Sequence, residues 1–347
     1  MNAFMDQVTQ TSVYYIAKVA PSEIFDDLDC KGNLLYIKRE DLQLGHSFKL
    51  RGAFNCISKL SAERRNAGVV TASAGNHAIG VALACRFFKC PAYIFVPLTT
   101  PLIKIDTIKR LGATVFQTGA DFEACKLIAL EYSVKKASTF VHPYDDIQVI
   151  LGQATVGMEV LSQIPNLGYL FVPIGGGGLA AGISSYMKAC VPQVKVIGVE
   201  PKGAAGMQHS LAEGAASAIP NVNTICDGVA VRLVGELCYE MCNQNLDSVI
   251  TVDDADVYAT ICEVHRKLRS LPEPSGALAL AGARKYLQQY DVRNSISVSV
   301  MTVANMDLAK LVGLSQLYSD PVVPHVRVAG RGEASPLQYH HAQEVGG

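Results

Sequence analysis

Short apolar strands alternate with longer amphipathic runs through most of this chain, and that alternation leaves few folds open. Residues 69–71 read as a strand, followed by a helix of small residues over about 76–87. A second strand at 93–96 is closed by Pro97, and a helix around 102–111 carries Lys104, Lys109 and Arg110 on its polar side. Strand 114–117, helix 122–135 and strand 139–141 complete the series. Strands joined by helices must run parallel, with right-handed crossovers. A second series begins after His142-Pro143: helix 149–161, strand 169–172, helix 179–187, strand 195–199, strand 248–252, helices 255–268 and 276–286, and strand 295–301. Residues 34–38 form one more strand ahead of both. Two series imply two sheets, so the expected fold class is α/β with two doubly wound, open-sheet lobes.

With 347 residues, 49% of them hydrophobic and 18% charged, the chain can bury a large core. Thirty Lys and Arg against 31 Asp and Glu leave a net charge of -1, without the basic excess that nucleic acid or an anionic membrane requires. Ten cysteines without a CxxC pair read as free thiols of a reducing cytoplasm. Cys238 and Cys242 share a helical face, but no cluster beside them completes a metal site. The start of the chain, with Asp6, lacks the pattern of a secretory signal. No charge occurs between Glu159 and Lys188, a span long enough to cross a bilayer. Pro165, Asn166, Pro173 and four consecutive glycines break it into a helix end, a buried strand and a turn. Residues 320–347 have no sustained period and are expected to form a weakly ordered tail.

Three segments carry candidate chemistry. Gly175, Gly176, Gly177 and Gly178 follow a strand and open a helix, so backbone N–H groups there can approach a phosphate at a positive helix end. A plain tight turn needs fewer glycines. Gly175 and Gly177, with Glu200 ending the next strand, also loosely fit a dinucleotide fingerprint, and this segment alone leaves that reading open. Lys49 sits between Phe48 and Leu50, ahead of a helix. Most lysines are solvated, but one held among apolar neighbours has a lowered pKa and can form a Schiff base. Ser73-Ala74-Gly75-Asn76-His77 opens another helix and can either bind an anion or simply cap that helix through Ser73 or Asn76.

Taken together, these segments resemble the fold-type II pyridoxal-phosphate family, whose architecture is that of the tryptophan synthase β subunit, and most closely its threonine dehydratase catalytic domains. The resemblance runs from about Tyr36 to Leu311. It rests on Ile37-Lys38-Arg39-Glu40-Asp41, Ser47-Phe48-Lys49-Leu50-Arg51-Gly52, the 73–77 segment, the glycine run within 172–182, Asp227-Gly228-Val229-Ala230-Val231, Glu273-Pro274-Ser275-Gly276-Ala277 and Ala304-Asn305-Met306. It implies pyridoxal 5'-phosphate held by Lys49 as a Schiff base, with Phe48 against the ring and Asn76 on its phenolic oxygen. Gly175, Gly176, Gly177, Gly178 and Leu179 would bind the phosphate, and the hydroxyl of Thr302 would face the pyridine nitrogen. Ser73, Ala74, Gly75, Asn76 and His77 would take the substrate carboxylate. A neutral partner for the ring nitrogen favours β-elimination over transamination. The implied reaction turns L-threonine into 2-oxobutanoate, or L-serine into pyruvate, releasing ammonia. Lys49 acts as base, and the β-hydroxyl leaves with a proton from the phosphate side. The resemblance further implies a large domain (1–60 and 148–319), a small mobile domain (61–147), a cytoplasmic homodimer or homotetramer, and a place in isoleucine biosynthesis.

Several positions depart from the family pattern. Ile79 replaces a glutamine one turn from the carboxylate loop, and Thr302-Val303 replaces Ser-Gly beside the ring. Either change could redirect the enzyme to another β-substituted amino acid such as hydroxyaspartate, and a silent paralogue is a third reading. Ala74 stands where serine racemases have a second acid–base serine, which argues for a dehydratase. A monovalent or divalent cation near Glu200 is doubtful because Gly206 stands where a second acid is expected, and no metal ligands are assigned. The chain ends soon after the resemblance, so feedback by isoleucine through a regulatory domain is not expected.

Overall fold

The chain builds one parallel sheet, leaves it to build a second, and returns to finish the first. The computed structural model describes residues 3–25 and 31–318; the expected tail at 320–347 lies outside the described residues. Helix α1 (Ala3–Thr9) precedes strands β1 (Ser22–Ile24) and β2 (Leu34–Arg39), and α2 (Lys49–Ser58) leads out of the first sheet. The inserted unit contains α3 (Ala62–Ala67), β3 (Val69–Ala72), α4 (Asn76–Phe88), β4 (Ala92–Val96), α5 (Leu102–Arg110), β5 (Thr114–Gln117), α6 (Phe122–Lys135) and β6 (Thr139–Phe140). The return begins with α7 (Ile147–Gln163), β7 (Tyr169–Pro173), α8 (Gly178–Cys190), β8 (Lys195–Pro201) and α9 (Gly206–Glu213). It ends with α10 (Glu236–Asn245), β9 (Ser248–Val252), α11 (Asp254–Leu268), α12 (Pro274–Gln289), β10 (Ile296–Met301) and α13 (Leu308–Leu317).

The larger sheet has the order β1-β2-β10-β7-β8-β9, with β1 antiparallel to β2 and the other pairs parallel. The smaller sheet, β5-β4-β3-β6, is parallel throughout. Helices cover both faces of each sheet, so central strands such as β3 are buried at every residue and read as unbroken apolar runs. On the larger sheet, α7 and α8 bury Ile150, Val156 and Ile183 against Leu170 and Val196. The opposite face packs Leu278 and Leu280 of α12 and Ile261 of α11 against Phe171 and Ile197. Phe54 and Ile57 of α2 share a core with Val81 of α4, Ile94 of β4 and Val149 of α7, so α2 ties the two units together.

The start of α2 is fixed by buried charge. Arg51 donates to Glu40 at 2.7 and 2.8 Å and to Glu159 of α7 at 2.7 Å, while Lys38 of β2 donates to Glu159 at 2.6 Å. These four side chains are at most 3% exposed. Two cations and two anions cancel, and removing one partner of such a network typically costs about 3–5 kcal/mol because a charge is left unpaired. The network therefore locks α2 onto β2 and α7 two residues beyond Lys49.

Strand order decides where a ligand can sit. The chain leaves β7 through α8 on one face but reaches β10 from α12 on the other. Crevices of this kind open beyond the carboxyl ends of the strands. Lys49 follows β2, Thr302 follows β10 and the glycine run follows β7, and these three strands are neighbours.

Candidate active site

Lys49 enters the crevice from a turn stitched to the end of β10. Ser47 forms an isolated antiparallel bridge with Val303, Phe48 N donates to Thr302 O at 3.2 Å, and Lys49 N donates to Ser47 Oγ at 3.2 Å. The Lys49 ammonium donates to Pro143 O at 2.7 Å and lies 5.3 Å from the centre of the Phe48 ring. Its side chain is only partly exposed, and protein encloses it closely. Desolvation lowers its pKa from 10.5 to about 8, opposed only by the nearby Cys238 thiol. An amine at about 8 is partly uncharged near neutral pH and can act as a nucleophile or base.

The glycine run faces this amine's surroundings with backbone alone. Gly177 has a φ of +102°, a conformation that disfavours any side chain, and α8 begins there without a side-chain cap. A Cβ on Gly176 would fall within the ring of Tyr144, and one on Gly177 would come 2.7 Å from Cys238 Cβ. An uncapped helix start with crowded glycines suits a phosphate. Leu179, in the first turn, is 5% exposed and packs inward.

The segment 73–77 lies at the start of α4. Gly75 is the helix N-cap and no side chain caps it, so neither Ser73 nor Asn76 takes that role. A Cβ on Gly75 would meet nothing within 4 Å, so its outer side is open. His77 differs from its neighbours. Its Nε2 lies 3.1 Å from Val141 O, an acceptor, so Nε2 carries the proton. Burial and Lys49 lower its pKa to about 3. The imidazole is thus neutral, buried and hydrogen-bonded to Val141, so an anion at this loop would meet its backbone N–H groups. The Thr302 hydroxyl donates to Ser275 O at 3.2 Å and is buried.

Sequence reasoning missed the strap over this site. In the sequence, residues 142–145, on the return from the smaller sheet, offer only His142-Pro143 as the mark after which the second series begins. The Tyr144 hydroxyl donates to Leu233 O at 3.2 Å, and its ring covers the glycine run. Asp145 accepts from Glu236 N at 3.1 Å and Cys238 N at 3.2 Å, closing the start of α10. His142 Nδ1 accepts from Tyr144 N and Asp145 N, and burial, with Lys126 nearby, lowers its pKa to about 4. The dipeptide His142-Pro143 was the available signal, but its destination depends on how the two sheets meet.

The departures from the family pattern are absorbed by packing. Ile79 lies against the turn at Gly45, where a Cβ would come within 2.9 Å of its Cγ2. Val303 is 3% exposed and holds the bridge to Ser47. Glu200 is fully buried, and its two carboxylate oxygens accept from Met207 N at 2.7 Å and Gln208 N at 2.8 Å, so it caps α9. Cys238 and Cys242 lie on α10, beside the Tyr144 and Gly177 carbonyls. Among the described residues, no three His, Cys, Asp or Glu side chains are grouped to hold a metal.

A nucleophilic amine opposite a backbone anion cradle, beyond the strand ends of an open α/β sheet, defines an enzyme that holds a phosphorylated carbonyl cofactor. The residues fit pyridoxal phosphate: a lysine of lowered pKa, an uncapped glycine-rich helix start, and polar groups at Asn76 and Thr302. The chain belongs to the pyridoxal-phosphate dependent enzyme family, whose model matches residues 8–303. It is 44% identical over 315 residues to threonine dehydratase 2 (biosynthetic, chloroplastic) of Solanum lycopersicum, covering 90% of this chain and 53% of that protein. It thus spans about half the length of such curated relatives. The processed form of threonine deaminase isoform 2 from Solanum lycopersicum superposes with a TM-score of 0.88 at 43% identity, covering 90% of this chain and 92% of that one. Maize serine racemase gives 0.84 at 31% identity, covering 91% and 97%.

Proposed function

We propose that this protein is an L-threonine dehydratase that also accepts L-serine, giving 2-oxobutanoate or pyruvate with ammonia. The observation that carries the reading is the amine of Lys49, of lowered pKa and, among the described residues, without a carboxylate partner, beside the glycine run. Likeness to threonine deaminase supports the substrate class. When bound, pyridoxal phosphate draws electrons from the substrate Cα and makes its proton removable. In this reading Lys49 anchors the cofactor, and N–H groups of Gly175, Gly176, Gly177, Gly178 and Leu179 hold its phosphate. Phe48 lies beside the ring, Asn76 donates to the phenolic oxygen, and Thr302 supplies a neutral hydroxyl at the ring nitrogen.

The backbone of Ser73, Ala74, Gly75, Asn76 and His77 takes the substrate carboxylate. The Lys49 amine, steadied by its hydrogen bond to the Pro143 carbonyl, would remove the Cα proton, and the β-hydroxyl would depart with a proton as water. Net loss of ammonia then requires water to add back, so the atoms of threonine leave as 2-oxobutanoate and ammonia. Ala74 offers only a methyl group where a racemase needs a second proton donor, so the proton is handled from one side. The smaller unit (61–147) moves over the substrate against the larger domain (1–60 and 148–319). The protein works in the cytoplasm as a homodimer or homotetramer, which light scattering checks, and supplies isoleucine synthesis. Among the described residues, no helix is long and apolar enough to cross a membrane.

A panel of β-substituted amino acids, with 2-oxo acid and ammonia read together, tests the reaction. L-threonine and L-serine should turn over fastest, without appearance of the D-isomers. Turnover of hydroxyaspartate alone would reassign the substrate, and no turnover by cofactor-loaded protein would favour a silent paralogue.

A further inference from the structure

Asn305 and Glu273 meet the side chain of Asn76, Gly45 stands behind Asn305, and their hydrogen bonds fix which way the Asn76 amide points. Asn305 Nδ2 donates to Gly45 O at 2.9 Å and to Asn76 Oδ1 at 2.7 Å. The Gly45 carbonyl can only accept, so the end of Asn305 that faces it must be the NH2 group. That NH2 also faces Asn76, whose nearer atom must then be Oδ1. Asn76 Nδ2 is consequently turned to Glu273, donating to Oε1 at 3.0 Å. Glu273 Oε1 is held in turn by Ser275 Oγ at 2.7 Å. The orientation of Asn76 is thus dictated from a backbone carbonyl at the turn before α2, through the segment between β10 and α13, to the start of α12. Asn76 itself belongs to the smaller unit, and both its clamps belong to the larger sheet's segments. One N–H of Asn76 remains for a further acceptor.

We propose that Asn305 and Glu273 are positioning residues that orient the Asn76 amide so that its remaining N–H meets the cofactor's phenolic oxygen. This rests on the reading that Asn76 borders the cofactor. Neither residue needs to touch the reacting atoms. With the amide reversed, a carbonyl oxygen would replace the donor.

Asn305→Asp tests this with little change of volume, because it turns the clamping donor into an acceptor. The cofactor-loaded variant should keep its cofactor but show a shifted near-visible absorbance, and lose kcat for L-threonine by about 100-fold with KM within about threefold. Combining it with Glu273→Gln supplies a donor on the other side, so Asn76 can be held again but reversed. The melting temperature should then recover in part, while absorbance and kcat remain displaced. If absorbance and kcat return together with the melting temperature, or if Asn305→Asp leaves both unchanged, orientation is not the role and the proposal fails. Asn76→Ala separates the underlying reading: unchanged cofactor absorbance in that variant would remove Asn76 from the cofactor and the clamp with it. Lys49 as the attachment point would be untouched by that result.

Discussion

Two lysines, Lys38 and Lys49, stand on either side of the same turn, one at the end of β2 and one at the start of α2, in opposite electrostatic surroundings. Lys38 is fully buried and donates to Glu159 at 2.6 Å, to the Ala20 carbonyl at 2.5 Å and to Gln163 at 3.2 Å. Desolvation lowers its pKa, but Glu159 and Glu40 oppose that loss. Among the described residues, Lys49 has a carbonyl partner and no carboxylate, and its pKa falls to about 8. Enclosure alone therefore does not mark a reactive lysine. A lysine with an anion is a fastening, and a lysine without one holds an amine ready for chemistry.

The comparison breaks most sharply under substitution. Lys49→Ala should lower turnover of L-threonine by about 10^4-fold or more, since in the proposed reaction it is both anchor and base, while circular dichroism and melting show a folded protein. Lys38→Met should do the reverse: about 3 kcal/mol lost in denaturant unfolding, with kcat per folded molecule within about threefold. Loss of turnover in the second variant at full stability would erase the distinction.

The pH dependence sharpens the same contrast. Capture of pyridoxal phosphate by cofactor-free protein should accelerate as pH rises through about 8, where Lys49 loses its proton, and level off above that. Between about 8 and 10.5 the unfolded chain binds more protons at this residue than the folded one, so Lys49's contribution makes the cofactor-free protein more stable as pH rises. Stopped-flow absorbance checks the first statement, and urea midpoints against pH the second.

Glu200 supplies the smallest effect. Burial raises its pKa from 4.5 to about 7 against the pull of two backbone donors. The folded state holds more protons there across that window, so its contribution to stability falls as pH rises from 4.5 to 7. Glu200→Gln should flatten that slope, cost about 1 kcal/mol as a weakened cap, and leave kcat within about twofold. Chelators should change neither protein; loss of activity restored by magnesium would make Glu200 a cation ligand.

Much of this architecture is legible in local pattern, and the rest depends on long-range assembly. Central strands buried on both faces announce themselves as apolar runs, and four adjacent glycines mark a backbone cradle. Helix α3 buries none of its residues and so has no stripe to read. Helices α1, α9 and α13 and strand β1 are short and were not anticipated. The position of β10 between β2 and β7 could not be read locally, because the last strand in sequence inserts beside the second. The same limit applies to the site. Lys49 was visible from its apolar neighbours and the motif around it, whereas Glu273 and Asn305 lay within quoted motifs without roles. Their meeting at Asn76 requires both sheets in place. Tyr144 and Asp145 carried no motif, and only the fold brings them over the glycines.

Borohydride reduction of the cofactor-loaded protein, followed by peptide mass spectrometry, tests the central claim most directly. The reduced cofactor should be found on Lys49 and absent from Lys38 and the other lysines. Its recovery on Lys38, or no adduct on Lys49 in protein that has retained its cofactor, would contradict the account.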